Sequence, residues 1–180
     1  WYDQELKKHP KDVGIWHAKG MFLLKEGRFE DAFKCFENIL KLDPDHHKAR
    51  EIQAEIAFNL GMFDEALRSY DILLKTNKKS EEYWHKKGRI LEIRGDYEGA
   101  LFCYNKALEV NSTYIPALHS KGSVLRAIAT TEVEGAETSE SLAEHPKIKE
   151  ALELVNKVLL MDPTSVEAHI TKGDIMYTIG

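Results

Sequence analysis

The chain has 180 residues, of which 43% are hydrophobic and 31% charged, and its formal net charge is −5. That is enough apolar material for one globular or solenoid unit and too little for several compact domains. The acidic balance offers no basic field to nucleic acid or to an anionic membrane surface. No apolar run approaches the roughly 18 residues needed to span a bilayer, and no signal peptide opens the sequence. Its two cysteines, Cys35 and Cys103, form no metal-ligand pattern, so a reduced, cytoplasmic setting is the expectation.

In chain order, Trp16, Gly20 and Leu23 follow an i, i+4, i+7 spacing and predict one face of a first helix. Gly27 ends it where a left-handed backbone is wanted. Ala32, Phe36 and Ile39 repeat the spacing in a second helix, which Leu42-Asp43-Pro44 stops because proline cannot continue the hydrogen-bond ladder. The same letters then return every 34 residues: Gly27, Gly61 and Gly95; Ala32, Ala66 and Ala100; Phe36, Tyr70 and Tyr104. A fixed period of this size marks stacked repeats, because one hairpin cannot bury its apolar stripe alone. The spacing predicts an all-α solenoid of antiparallel helix hairpins.

The period breaks once. Gly88 and Gly122 are 34 apart, but Gly122 and Gly173 are 51 apart, so 17 residues are inserted. The insertion, about 126–147, carries Glu132, Glu134, Glu137, Glu140 and Glu144, with no Lys or Arg between Arg126 and Lys147. It reads as a solvated acidic loop, with the preceding helix extended through Arg126–Val133. No nucleophile motif, phosphate-binding glycine loop, HExxH or CxxC pattern occurs. The expectation is therefore a chain that is not an enzyme and takes no metal and no cofactor, with its cysteines as core thiols.

The pattern resembles the tetratricopeptide repeat family, whose signature is Trp, Leu-Gly and Tyr in the first helix, then Ala, Phe and a closing Pro. The resemblance implies a right-handed superhelix. Residues 1–12 would end a preceding second helix, 13–46, 47–80 and 81–114 would be repeats one to three, 115–165 a fourth with the insertion, and 166–180 the first helix of a fifth. The leucine before the glycine is replaced by Lys19, Gln53, Lys87, Lys121 and Lys172, whose stems can cover core while the amines reach water. Repeats cut at both ends leave Ile175, Met176 and Ile179 wanting cover, which is expected either from a longer array or from self-association through the open ends.

The resemblance also implies which first-helix positions line the concave wall: the second, fifth, sixth, ninth, twelfth and thirteenth. Carried over, these are His17, Met21, Leu24 and Lys25; Lys48, Glu51, Ile52, Glu55, Phe58 and Asn59; Glu82, His85, Lys86, Arg89, Glu92 and Ile93; His119, Ser120, Ser123 and Arg126; and Glu167, Ile170, Thr171, Asp174 and Tyr177. Chaperone-binding members grip a partner's C-terminal carboxylate with a Lys, Asn, Asn, Lys, Arg clamp. Here the slots hold His17, Met21, Ile52, Glu82 and Lys86 in the first frame, and the later frames also contain carboxylates. A chaperone C-terminal tail is therefore not the expected partner.

His17, His85 and His119 share the fifth position. Plain polar surface is the favoured reading of that row, with a pH-tuned contact and a metal site as alternatives, the latter disfavoured by one-repeat spacing. Lys86, Arg89 and Arg126, with His85 and His119, form a local basic cluster. The expected function is a non-catalytic adaptor or scaffold that binds a protein or peptide, here an acidic segment. The acidic insertion is a candidate internal competitor for the cluster. The alternative is a non-catalytic arm of a larger enzyme, since some glycosyltransferases and signalling proteins carry such arrays.

Overall fold

A computed structural model describes residues 1–133 and 142–180. The described residues form helices and no strand: α1 (Tyr2–Lys8), α2 (Val13–Lys25), α3 (Phe29–Leu42), α4 (His47–Asn59), α5 (Phe63–Thr76), α6 (Glu81–Ile93), α7 (Tyr97–Val110), α8 (Ile115–Val133), α9 (Pro146–Met161) and α10 (Val166–Ile179). They fall into two compact units, Trp1–Lys78 and Lys79–Gly180.

Local chemistry sets the helix ends. Asp12, Ser80 and Ser165 each accept a hydrogen bond through the side chain from a backbone N–H three residues on, and His46 does the same through Nδ1. These caps satisfy donors that the first turn leaves orphaned. The first helices stop at Gly27, Gly61 and Gly95, whose φ values of 73°, 73° and 78° lie in the left-handed region that favours glycine.

In unit 1, α1 packs on α2, α2 on α3, α3 on α4 and α4 on α5. Leu23, Ala32, Cys35, Phe36, Ile39, Ala49 and Ile56 are buried together, with Trp16, Leu24 and Ile52 half-buried against them. The Trp16 indole N–H donates to the Pro10 carbonyl at 2.9 Å. Its ring covers core while its polar edge stays satisfied.

In unit 2, α6 pairs with α7 and α8 with α9, and α8 also packs on α6, α7 and α10. Ile148, Ala151, Val155 and Val158 are fully buried against Leu118, Leu125, Ala168 and Ile175. A second cluster holds Ala100, Tyr104, Val124 and Ile128. Burying each larger aliphatic side chain contributes about 1.5–3 kcal/mol. The sequence expectation that Ile175 wants cover is corrected: α8 and α9 supply it. On α10 it is Val166, Ile170, Met176 and Tyr177 that stay exposed.

The polar residues before the repeat glycines find partners as well as water. Lys19 Nζ donates to Asp3 at 2.6 Å, Lys121 Nζ pairs with Glu150 at 2.7 Å, and Lys172 Nζ donates to Asn156 at 2.9 Å. The long stems lie along the core and the amines reach a neighbouring helix.

Helix α8 does continue through Val133. Its last turn is tied to α9, because Glu132 pairs with Lys147 at 2.6 Å and with His145 at 3.3 Å. The hydrogen bond from Lys147 holds the Glu132 carboxyl below its ordinary range. Glu144 pairs with Lys149. Glu134, Glu137 and Glu140 lie outside the described residues.

Candidate functional site

Three first helices of unit 2, α6, α8 and α10, form a groove of about 760 Å³. From α6 it is lined by His85, Arg89, Glu92 and Ile93, and from α8 by Ile115, Pro116, His119, Ser120, Ser123, Arg126 and Ala127. Tyr97 at the start of α7 and Ser165 and Glu167 at the start of α10 complete it.

A directed hydrogen-bond chain forms the floor. The Tyr104 ring is fully buried, and its hydroxyl donates to the Glu92 carboxylate. Ser120 also hydrogen-bonds that phenol, and Ser120 Oγ lies 3.1 Å from His85 Nε2. An ionised carboxylate only accepts, so Tyr104 must donate to Glu92 and accept from Ser120. The Ser120 oxygen is then left to accept from His85, which assigns the Nε2–H tautomer. Burial, reinforced by the bond to Glu92, pushes the Tyr104 hydroxyl far up from its usual range. Burial, with Arg89 second, pushes the His85 imidazole down to about 4. It packs against the Tyr104 and Tyr114 rings at 5.6 and 5.7 Å between centroids.

One helix further on, His119 Nε2 lies 2.7 Å from Thr171 Oγ1, a side chain only 5% exposed. In both rungs a fifth-position histidine meets the sixth-position hydroxyl of the next first helix. The reading of these histidines as plain surface is therefore corrected: they join helices. His85, neutral at physiological pH, is no pH-tuned contact there.

Arg126 differs from its neighbours. Its Nε is buried and has no hydrogen-bond partner among the described residues. Leaving such a donor unsatisfied costs about 1–3 kcal/mol.

The groove brings together His85, Arg89, His119, Ser123 and Arg126 of the residues read from the sequence, with Glu92, Ile93, Ser120 and Glu167. Lys86 stands outside its lining, paired with Glu82 at 2.8 Å. Asp174 and Tyr177 are exposed and also outside it, Tyr177 being 91% accessible. In unit 1, His17 is half-buried with its ring edge-on to Phe36, and Leu24 and Ile52 pack against the core. Phe58 stacks edge-on with Phe63, Lys48 pairs with Glu51 at 2.8 Å, and Met21 and Glu55 are exposed. The unit 1 cavity, about 460 Å³, lies elsewhere, lined by Trp1, Trp16, Lys19, Phe22, Arg28 and Asp31 among others.

Sequence reasoning missed Ile115, Tyr97 and Ser165 as lining, and the hydroxyl of Tyr104 as floor, whereas Pro116 and Ala127 stand at the second and thirteenth positions that the resemblance assigns to the wall. A tyrosine in a slot that Phe36 fills without a hydroxyl was the available signal, since a buried phenol demands a partner.

Among the described residues no three His, Cys, Asp or Glu side chains converge as metal ligands. None of their helices is long and apolar enough to cross a membrane.

Family comparison matches residues 23–90 to a tetratricopeptide repeat model and residues 81–114 to a second one. The matches together cover just over half of the chain. The chain belongs to the tetratricopeptide repeat (TPR) family. Its all-α hairpin fold agrees with solved TPR structures. A TPR protein from Parabacteroides merdae superposes with a TM-score of 0.76 at 18% identity, over 92% of this chain and 59% of that one. MamA gives 0.75 at 17% identity, over 92% and 81%. The first TPR of Spaghetti (RPAP3), bound to the HSP90 peptide SRMEEVD, gives 0.59 at 20% identity, over 65% and 93%. Comparison with curated proteins found no match. TPR hairpins are typically non-catalytic modules with extended binding surfaces.

Proposed function

We propose that the chain is a non-catalytic interaction module that holds a segment of a partner protein in the unit 2 groove. The observation that carries this reading is the groove itself. Its floor is a hydrogen-bonded polar network of Tyr104, Glu92, Ser120 and His85, and charged and apolar side chains of three helices line one cavity. A pre-formed concave wall of mixed character suits a segment of a partner protein.

The solved RPAP3 TPR holds an HSP90 peptide, which supports a peptide as the class of ligand. The mode differs here, because the clamp slots hold Met21, Ile52 and Glu82 in place of the amide and lysine side chains. The occupant in this reading is an internal segment of a partner.

Filling the groove tests the proposal. Ser123→Trp places an indole in the lining, and its fold is checked by circular dichroism. Affinity capture with the native chain and with this variant should differ, with the specifically retained partners lost from the variant. An identical set on both would overturn the groove as the binding surface.

A further inference from the structure

We infer that the unit 2 groove selects a partner segment with no net charge and seats one bulky apolar side chain of that segment against Ile93, Tyr97 and Ala127. This rests on the groove reading above and adds the chemistry of the occupant.

Ile93 is the last residue of α6. Lys25 closes α2 and Asn59 closes α4 at the same place in the 34-residue period, and both are exposed. A first helix therefore ends well with a polar side chain there, so helix packing does not demand the isoleucine. Ile93 is nevertheless 54% exposed, on a wall of the cavity. Tyr97, just past the Gly95 turn, packs against the cluster that holds Val124 and Ile128 of α8, and it lines the cavity as well. Ala127, one period after Ile93, stands beside Ile128 in sequence and is also lining. An isoleucine, a tyrosine ring and a methyl group thus meet in one concave space, held by helices that are already packed. Apolar surface of this kind gains from an apolar ligand at little ordering cost.

The charges around it balance. The charged side chains that line the cavity, among the described residues, are Arg89 and Arg126 with Glu92 and Glu167. Lys86, outside the lining, is paired with Glu82. Two charges of each sign give no steering field to a strongly acidic or basic tail, and such a tail meets like charges as well as opposite ones. Selection is left to shape and to the apolar contact. Burying one large aliphatic or aromatic side chain is worth about 10- to 100-fold in affinity.

Random dodecapeptides displayed on phage, selected on the immobilised native chain, are the probe. The recovered peptides should share a bulky apolar residue, carry a net charge near zero and change affinity less than about twofold between low and high salt. Ile93→Lys and Ile93→Asn, which copy what Lys25 and Asn59 already do in the fold, should each weaken binding about tenfold or more. Serine in place of the shared apolar residue should cost the native chain the same factor and the Ile93→Lys chain nothing further. Met21→Lys and Tyr177→Lys, at exposed apolar positions outside this groove, should leave binding unchanged.

Peptides lost on Ser123→Trp that bind the Ile93→Lys chain as well as the native one, or that are highly charged and salt-sensitive, would overturn this inference and leave the proposed function standing. Peptides that survive Ser123→Trp, or a selection that recovers none, would overturn both.

Discussion

In unit 1 the His17 ring stands edge-on to Phe36 at 5.7 Å, and the sixth position of α4 is the half-buried Ile52. In unit 2 the equivalent histidines face hydroxyls, His85 meeting Ser120 and His119 meeting Thr171. The aromatic beneath each ring differs too: His17 packs on Phe36, and His85 on the hydrogen-bonded Tyr104, although unit 1 also holds a tyrosine, Tyr70, in this slot of its next hairpin. One histidine letter therefore packs as a ring where its neighbours are apolar and works as a polar tie where a hydroxyl stands one helix away. Burial without an acceptor would be costly, and the second arrangement avoids that cost. It also gives unit 2 a rigid polar wall that these residues of unit 1 do not build.

The largest effect is expected at the repeat glycines. A Cβ on Gly88 would lie 2.5 Å from the Tyr104 ring, and one on Gly20 would lie 2.8 Å from the Phe36 ring. Tyr104 is anchored by Glu92 and Ser120, so its ring cannot yield without breaking hydrogen bonds. Gly88→Ala should cost about 3–4 kcal/mol and Gly20→Ala about 2 kcal/mol in urea unfolding. Equal losses would show that the anchor contributes nothing to the rigidity of unit 2.

The pH response comes next. The folded His85 imidazole titrates at about 4 and the unfolded one near 6.5. Between these values the unfolded chain binds the extra proton. The contribution is fully present above pH 6.5 and is lost as pH falls toward 4, by up to about 3 kcal/mol. His85→Gln should flatten the dependence of the urea midpoint on pH between 7 and 4.5. A slope matching the native chain would contradict the buried, neutral assignment.

The rungs predict a smaller term. A double-mutant cycle on His119 and Thr171, using Thr171→Val, should return a coupling of about 1 kcal/mol, and the same cycle on His17 and Ile52 should return about zero. Comparable couplings in the two units would erase the contrast between polar tie and ring packing. The smallest change has the opposite sign. A Cβ on Gly173 would meet no side chain of the described residues within 4 Å apart from those of its chain neighbours, so Gly173→Ala should stabilise α10 by up to about 1 kcal/mol, seen as a raised Tm.

The hairpins were legible in the sequence because their cause is periodic. Glycine at Gly27, Gly61 and Gly95 and alanine at Ala32, Ala66 and Ala100 recur because each hairpin makes the same turn and the same close crossing. Part of the site was legible for the same reason, since positions along a first helix fix which side chains share a wall. The rungs were not. Whether His85 meets an acceptor is decided by Ser120, 35 residues away, and by the tyrosine beneath both. The unmet Arg126 Nε was hidden too, because partner geometry rather than residue type produces it.

Cys35 and Cys103 face Gly20 and Gly88 across their hairpins, each with its Cβ 3.2 Å from where a Cβ on that glycine would stand. Both are buried thiols, one in each unit, and burial raises the Cys35 thiol above its ordinary range. An alkylating reagent reaches them only when a helix pair separates. The protein thereby carries two native chemical clocks, and labelling rates at Cys35 and Cys103 would time the opening of each unit separately in an unaltered chain.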